Sequence, residues 1–171
     1  MPDVLDIELS SLIKNVKEID YEKDGYQLLQ RAAALAFNDL VETFANEGIC
    51  KDKALIALVL VRLRDLQVRD YAMGFTNSEN IHVLSEMWGW LLSITPAGYI
   101  APVASLFSAI NYEKGDEQLA SRLLDQGLGD DSTYPLAKLL RRVYAAGWPA
   151  GSFATMRKEL HPKVCASLFN E

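Results

Sequence analysis

Five side chains within nine residues hold the densest chemistry of the sequence: Arg62, Arg64, Asp65, Arg69 and Asp70. A guanidinium is permanently charged and presents a planar fork of donors that fits a carboxylate or a phosphate. Two readings are open. In one, Arg64–Asp65 and Arg69–Asp70 are partners in ion pairs around the end of a helix. In the other, Arg62, Arg64, Arg69 and Asp70 grip an anion or a carboxylate between helical segments, as part of a small-molecule or catalytic site.

The remaining chemistry-bearing residues have structural explanations. His82 and His161 stand far apart, and with His161-Pro162 ending a helix each reads as a surface or packing side chain, without a ligand set of the H-x-x-x-H kind. Cys50 and Cys165 read as reduced packing thiols. Ala150-Gly151-Ser152-Phe153-Ala154 lacks the flanking glycines of a nucleophile elbow, and Ser152 fits a helix cap. Asp125, Asp130 and Asp131 lack the alternation of a calcium loop. Asp116 and Glu117 sit at a helix start, where the dipole favours acids. With no glycine-rich phosphate loop, the expectation is no enzyme, no cofactor and no metal.

The elements that must position these residues read as helices throughout. Residues 4–19 place Val4 or Leu5, Leu9, Leu12, Val16 and Ile19 on one face, with Asp3 as cap, and Asp20 to Gly25 reads as a turn. Residues 26–46 repeat Tyr26, Leu29, Ala33, Phe37, Leu40 and Phe44, and Gly48 ends that helix. Asp52 caps a helix over 53–66 whose run Ala54–Val61 is apolar on all sides and therefore central in a core. Asn77 or Ser78 caps a helix to Ser93, in which Trp88 and Trp90 point to different faces. Further helices are expected over 97–112, over a segment ended by Gly127 and Gly129, over 135–146, and over 151–160, where His161-Pro162 stops the chain. The tail Val164 to Phe169 is apolar enough to dock. The sum is an all-α protein of about eight helices, one domain over 1–171, with a candidate subdivision into 1–74 and 78–171 at Gly74–Asn80.

Composition narrows the partners. Half of the 171 residues are hydrophobic, enough for a substantial core. The net charge of −6 resides in residues 1–50, which carry ten acidic and four basic side chains, while the rest of the chain is neutral. An acidic front disfavours nucleic acid, which requires a basic face, and suits a basic protein surface. No apolar run is long enough to span a bilayer. Asp3, Asp6 and Glu8 stand where a signal peptide is basic, so a cytoplasmic protein is expected.

Between Asn111 and Ala137 the sequence shows the grammar of a helical hairpin. Lys114-Gly115-Asp116 reads as a tight turn, and Leu119, Ala120, Leu123, Leu124 and Leu128 form one apolar face. Tyr112-x-x-Gly115 returns thirty-two residues later as Tyr144-x-x-Gly147, and on that shift Leu124 falls on Met156 and Leu128 on Leu160. The pattern resembles a tetratricopeptide unit, with Ser132 near the position where that unit has proline. An ordinary antiparallel helix pair accounts for the same residues.

The back half also resembles the C-terminal part of domain-of-unknown-function family 4192, of actinobacteria and their phages. The likeness rests on Val68-Arg69-Asp70, on Trp88 to Pro96, and on YEKGDEQLASRLLDQGLGDDSTYPLAKLL followed by AAGWP, roughly residues 52–150. Members of that family place an α/β half before this region, whereas residues 1–50 here read as helices. The resemblance implies actinobacterial or phage origin and brings no catalytic residues. A non-enzymatic protein–protein interaction module is therefore expected, for instance a phage or mobile-element factor that engages a host protein. Trp90, Tyr99 and Trp148 are its candidate contact residues because aromatic side chains beside turns anchor interfaces. A homo-oligomer is the alternative.

Overall fold

The computed structural model describes residues 4–18 and 26–169, and the expected cap at Asp3 and turn at Asp20 to Gly25 lie outside them. Among the described residues there are nine helices and no strand: α1 (Val4–Glu18), α2 (Tyr26–Glu47), α3 (Lys53–Arg62), α4 (Leu66–Gly74), α5 (Ile81–Ile94), α6 (Ile100–Glu113), α7 (Glu117–Asp130), α8 (Pro135–Ala145) and α9 (Gly151–Phe169). The all-α expectation holds. The helices group into two units: one gathers the described residues of Met1–Ala72 and His161–Glu171, the other is Met73–Leu160. The last residues belong with the front ones in the first unit.

In the first unit, α3 packs on both α1 and α2. Its apolar girdle explains this place, since Ile56, Ala57, Val59 and Leu60 are all buried. The side chain of Asp52 caps α3 by accepting the Leu55 N–H at 3.0 Å. The expected helix over 53–66 is two helices. Asp65 breaks it by taking the N–H groups of Gln67 and Val68 on one carboxylate oxygen, which starts α4. On α2, Ala33, Phe37, Leu40 and Phe44 face the core as their spacing requires, whereas Tyr26 is exposed.

The second unit is built around α6, which packs on α5, α7 and α8 and is buried along most of its length. Its turn into α7 is a Schellman motif: Gly115 has φ +92°, its N–H donates to the Tyr112 carbonyl, and the Asp116 N–H donates to the Asn111 carbonyl. Asp116 then caps α7 through the Leu119 N–H. At the far end the Asp130 carboxylate accepts the N–H groups of Gly98 and Ile100, so the end of α7 caps the start of α6. Gly127 does not end α7, as its residue type suggested. It lies inside the helix against Ala101 and Ala104 of α6, where an added Cβ would stand 3.5 Å from the Ala101 backbone. Ala120, fully buried, lies about two turns earlier, and its carbonyl accepts the Ser108 hydroxyl of α6.

Pro162 likewise does not stop α9, which runs on to Phe169. A proline inside a helix forfeits one hydrogen bond and costs about 3 kcal/mol. Tertiary contacts of the last turns oppose that cost in the first unit. Leu168 is buried, its carbonyl receives the Arg31 guanidinium, and the Ser167 carbonyl receives the Gln27 amide.

Candidate interaction site

The turn Tyr144-x-x-Gly147 repeats the geometry of Tyr112-x-x-Gly115. Gly147 has φ +69°, its N–H donates to the Tyr144 carbonyl, and the Trp148 N–H donates to the Val143 carbonyl. The two tyrosines that share this position stack on each other, with ring centres 4.2 Å apart and planes 6° from parallel. The Ser108 hydroxyl bonds the Tyr144 hydroxyl at 2.9 Å and donates to the Ala120 carbonyl at 2.7 Å. Burial pushes the Tyr144 phenol up to about 12, against the Ser108 hydrogen bond, so it stays neutral. The Tyr112 hydroxyl donates to the Trp148 carbonyl. Beneath the indole lies the buried Phe153, whose ring is 6.5 Å from Trp148 and 5.6 Å from Tyr112. The turn is thus held by side chains while the Trp148 ring faces outward, 43% exposed.

Beyond the turn the likeness of the two segments ends. α7 packs along α6, but α9 does not lie along α8 in the same way. On the thirty-two-residue shift, the α7 face formed by Ala120, Leu123, Leu124 and Leu128 corresponds to Ser152, Thr155, Met156 and Leu160 of α9. Those four residues, with Trp148, Pro149, Gly151 and Glu159, line an open groove of about 770 Å³. Leu124 is fully buried, whereas its counterpart Met156 is half-buried and Leu160 is 47% exposed. The groove is therefore the face a helix would cover if the second hairpin closed as the first does. Arg157 holds this part of α9 against α6 with a two-pronged pair to Glu113, Nη1 to Oε2 and Nη2 to Oε1, both side chains about seven-eighths buried.

The three aromatic candidates separate. Trp148 opens on the groove, Trp90 is half-buried on α5, and Tyr99 is buried at the start of α6. Ser152 lies in the first turn of α9 and not before it: its N–H donates to the Pro149 carbonyl at 2.9 Å and its side chain lines the groove.

The arginine cluster belongs to the first unit and is engaged within it. Arg69 pairs with Asp70 through Nε and Nη2 at 3.1 and 2.8 Å. Asp65 takes the Gln30 amide on both oxygens, at 3.0 and 2.9 Å, besides starting α4. Arg62 is buried and Arg64 is exposed. Of the two readings, internal pairing describes Arg69 and Asp70, and Asp65 caps α4 and holds Gln30.

One pair escaped the sequence reading. Because α9 continues through Pro162, His161 and Cys165 stand one turn apart, and Cys165 Sγ lies 3.5 Å from His161 Nε2. The Tyr71 ring is 5.5 Å from the imidazole. The four-residue spacing was the available signal, and it carried no weight while a helix stop was assumed between the two residues. Burial lowers the His161 pKa and raises that of the Cys165 thiol, which favours the neutral forms over a thiolate–imidazolium pair. Among the described residues no group of three or more His, Cys, Asp or Glu is placed to hold a metal ion. No helix among them is long and apolar enough to cross a membrane.

The His161 environment sets a pH dependence. The folded protein binds this proton less readily than the unfolded chain, whose imidazole titrates near 6.5. Below that pH the unfolded chain takes up a proton the folded protein excludes, so stability falls as pH drops through 6.5 toward the lower folded value. The urea midpoint of the wild-type protein should decline between pH 7 and pH 5, and His161→Gln should flatten that part of the profile. An unchanged slope in the variant would assign the decline to other groups.

The family model described as "Domain of unknown function (DUF4192)" matches residues 4–150. The matched span takes in α1 and α2, so it extends well ahead of residues 52–150, on which the sequence resemblance rested. No curated protein and no solved structure matches.

Proposed function

We propose, for a chain that belongs to the DUF4192 family, a non-enzymatic role as a protein–protein interaction module that receives an amphipathic helix of a protein partner in the groove of α9. The observation that carries this reading is the unclosed hairpin. A face whose register equivalent on α7 is covered by α6 lies open on α9, with Trp148, Met156 and Leu160 as apolar contacts. Helix-in-groove recognition uses such a surface, with partner anchors at three- and four-residue spacing. Among the described residues Glu159 is the one charged residue lining the groove, which favours a partner helix with a basic residue beside its apolar face.

Display of a library of amphipathic helices against the full chain tests the reading. The selected peptides should perturb the Trp148 indole resonance. Trp148→Ala should weaken them by roughly thirtyfold or more, the scale of an interface hot spot, with unchanged circular dichroism. Peptides that bind equally well to Trp148→Ala, or a screen that yields no helical binder, would count against the groove as the docking site.

A further inference from the structure

The last turns of α9 are held in the first unit mainly by their end. Of His161 to Phe169 only Leu168 is buried; His161, Val164 and Cys165 are half-buried, and the other five residues are exposed. A helix leaves its last four carbonyls without partners of its own. Two of these are taken by α2: the Arg31 guanidinium donates to the Leu168 carbonyl, and the Gln27 amide donates to the Ser167 carbonyl at 3.2 Å. From α4 the Gln67 amide donates to the Ser167 hydroxyl at 3.3 Å. The Tyr71 ring of α4 meets the rings of His161 and Phe169, with centres 5.5 and 5.9 Å away. α2 and α4 thus form a seat for the C-terminal turn of a helix, with a cation and two amides at the negative end of its dipole and an aromatic ring beside it. The seated segment is also separable from what precedes it. Pro162 has no N–H to give the Lys158 carbonyl, so the hydrogen-bond ladder of α9 is interrupted there. The division between the two units falls beside it, between Leu160 and His161. Segments with few buried side chains open at lower free energy than a core.

We infer that residues 161–169 are an autoinhibitory strap, which fills in cis a site on α2 and α4 built to take the C-terminal turn of a partner helix. The strap itself states the chemistry of that partner. Its last turn offers two free carbonyls to Gln27 and Arg31, a hydroxyl residue to Gln67, and a leucine followed by an aromatic ring, as in Ser167-Leu168-Phe169. The strap opens about Pro162, and the entering helix replaces its contacts one for one. No residue that lines the groove of α9 belongs to this seat, so the inference does not depend on the role given to that groove.

A labelled peptide with the sequence of residues 157–171, titrated under reducing conditions, is the probe. In the wild-type full chain it meets a seat already filled. In full-length Leu168→Glu, whose own strap no longer docks, it should bind at least about tenfold more tightly, because the filled fraction of the site no longer taxes its affinity. Adding Arg31→Ala to that chain should remove most of the gain, and a peptide carrying Leu168→Glu itself should not bind. Slow labelling of the buried Cys50 by a thiol reagent shows that the Leu168→Glu chain keeps its fold. Native-state hydrogen exchange of the wild-type protein gives a readout that needs no variant. The amides of residues 163–169 should exchange through an opening that leaves those of α2 and α3 protected. Equal affinity of the peptide for both chains overturns the inference, as does binding to neither. Exchange of residues 163–169 only together with α2 overturns it whatever the peptide does.

Discussion

Trp88→Ala is expected to lower stability by about 3–5 kcal/mol, and the same change at Trp90 by less than about 1 kcal/mol. Trp88 is 1% exposed and is surrounded in its own helix by Leu84, Met87 and Leu91, all fully buried. Removing the indole withdraws its transfer free energy and leaves a cavity that close-packed neighbours fill only in part. Trp90 lies two residues further along α5, on the half-buried side. Since a domain is stable by only about 5–15 kcal/mol, Trp88→Ala brings the protein near the edge of folding. Urea denaturation of the two variants decides the matter. A pair of midpoints that fall equally would show that Trp88 does not hold the core position its burial indicates.

The second large effect is at Glu113 and Arg157. Their side chains are 14% and 12% exposed and bonded by both prongs of the guanidinium. Glu113→Ala strands a nearly buried guanidinium and is expected to cost about 3 kcal/mol. Replacing both partners, Glu113→Leu with Arg157→Met, removes the charges together and should recover most of that loss, because the desolvation cost disappears with the pair. The check is a double-mutant cycle from denaturation midpoints. Additive losses would mean that the pair is screened like an exposed surface bridge.

Helix types and most caps were legible because their causes are local. Asp52 and Asp116 cap by reaching three residues along the chain, and Gly115 and Gly147 supply positive φ at the turns their patterns marked. Two misreadings share one origin, a local signal overridden by distant contact. Gly127 was taken as a terminator and is a spacer against α6. Pro162 was taken as a stop, but Leu168 and the Arg31 and Gln27 bonds hold the turns beyond it. Asp65 also starts a helix and binds Gln30 across 35 residues of sequence, a pairing that no local pattern marks. The groove of α9 was half legible. The shift that aligns Leu124 with Met156 and Leu128 with Leu160 was readable, and Trp148 was a contact candidate. That the second copy of this face stays uncovered follows from how α9 lies relative to α8, which no local pattern encodes.

The membership of His161–Glu171 in the unit of Met1–Ala72 bears on the order in which the protein forms during synthesis. Met73–Leu160 is one uninterrupted stretch, so α5 to α8 and the first part of α9 can assemble as soon as that stretch has left the ribosome. The helices α1 to α3 and most of α4 emerge before that stretch yet wait for residues that follow it. The carbonyls that bind Arg31 and Gln27 belong to residues made 137 and 140 positions later. Until Ser167 and Leu168 have been made, those polar groups on α2 lack these partners, so the nascent front segment is held by its own contacts alone.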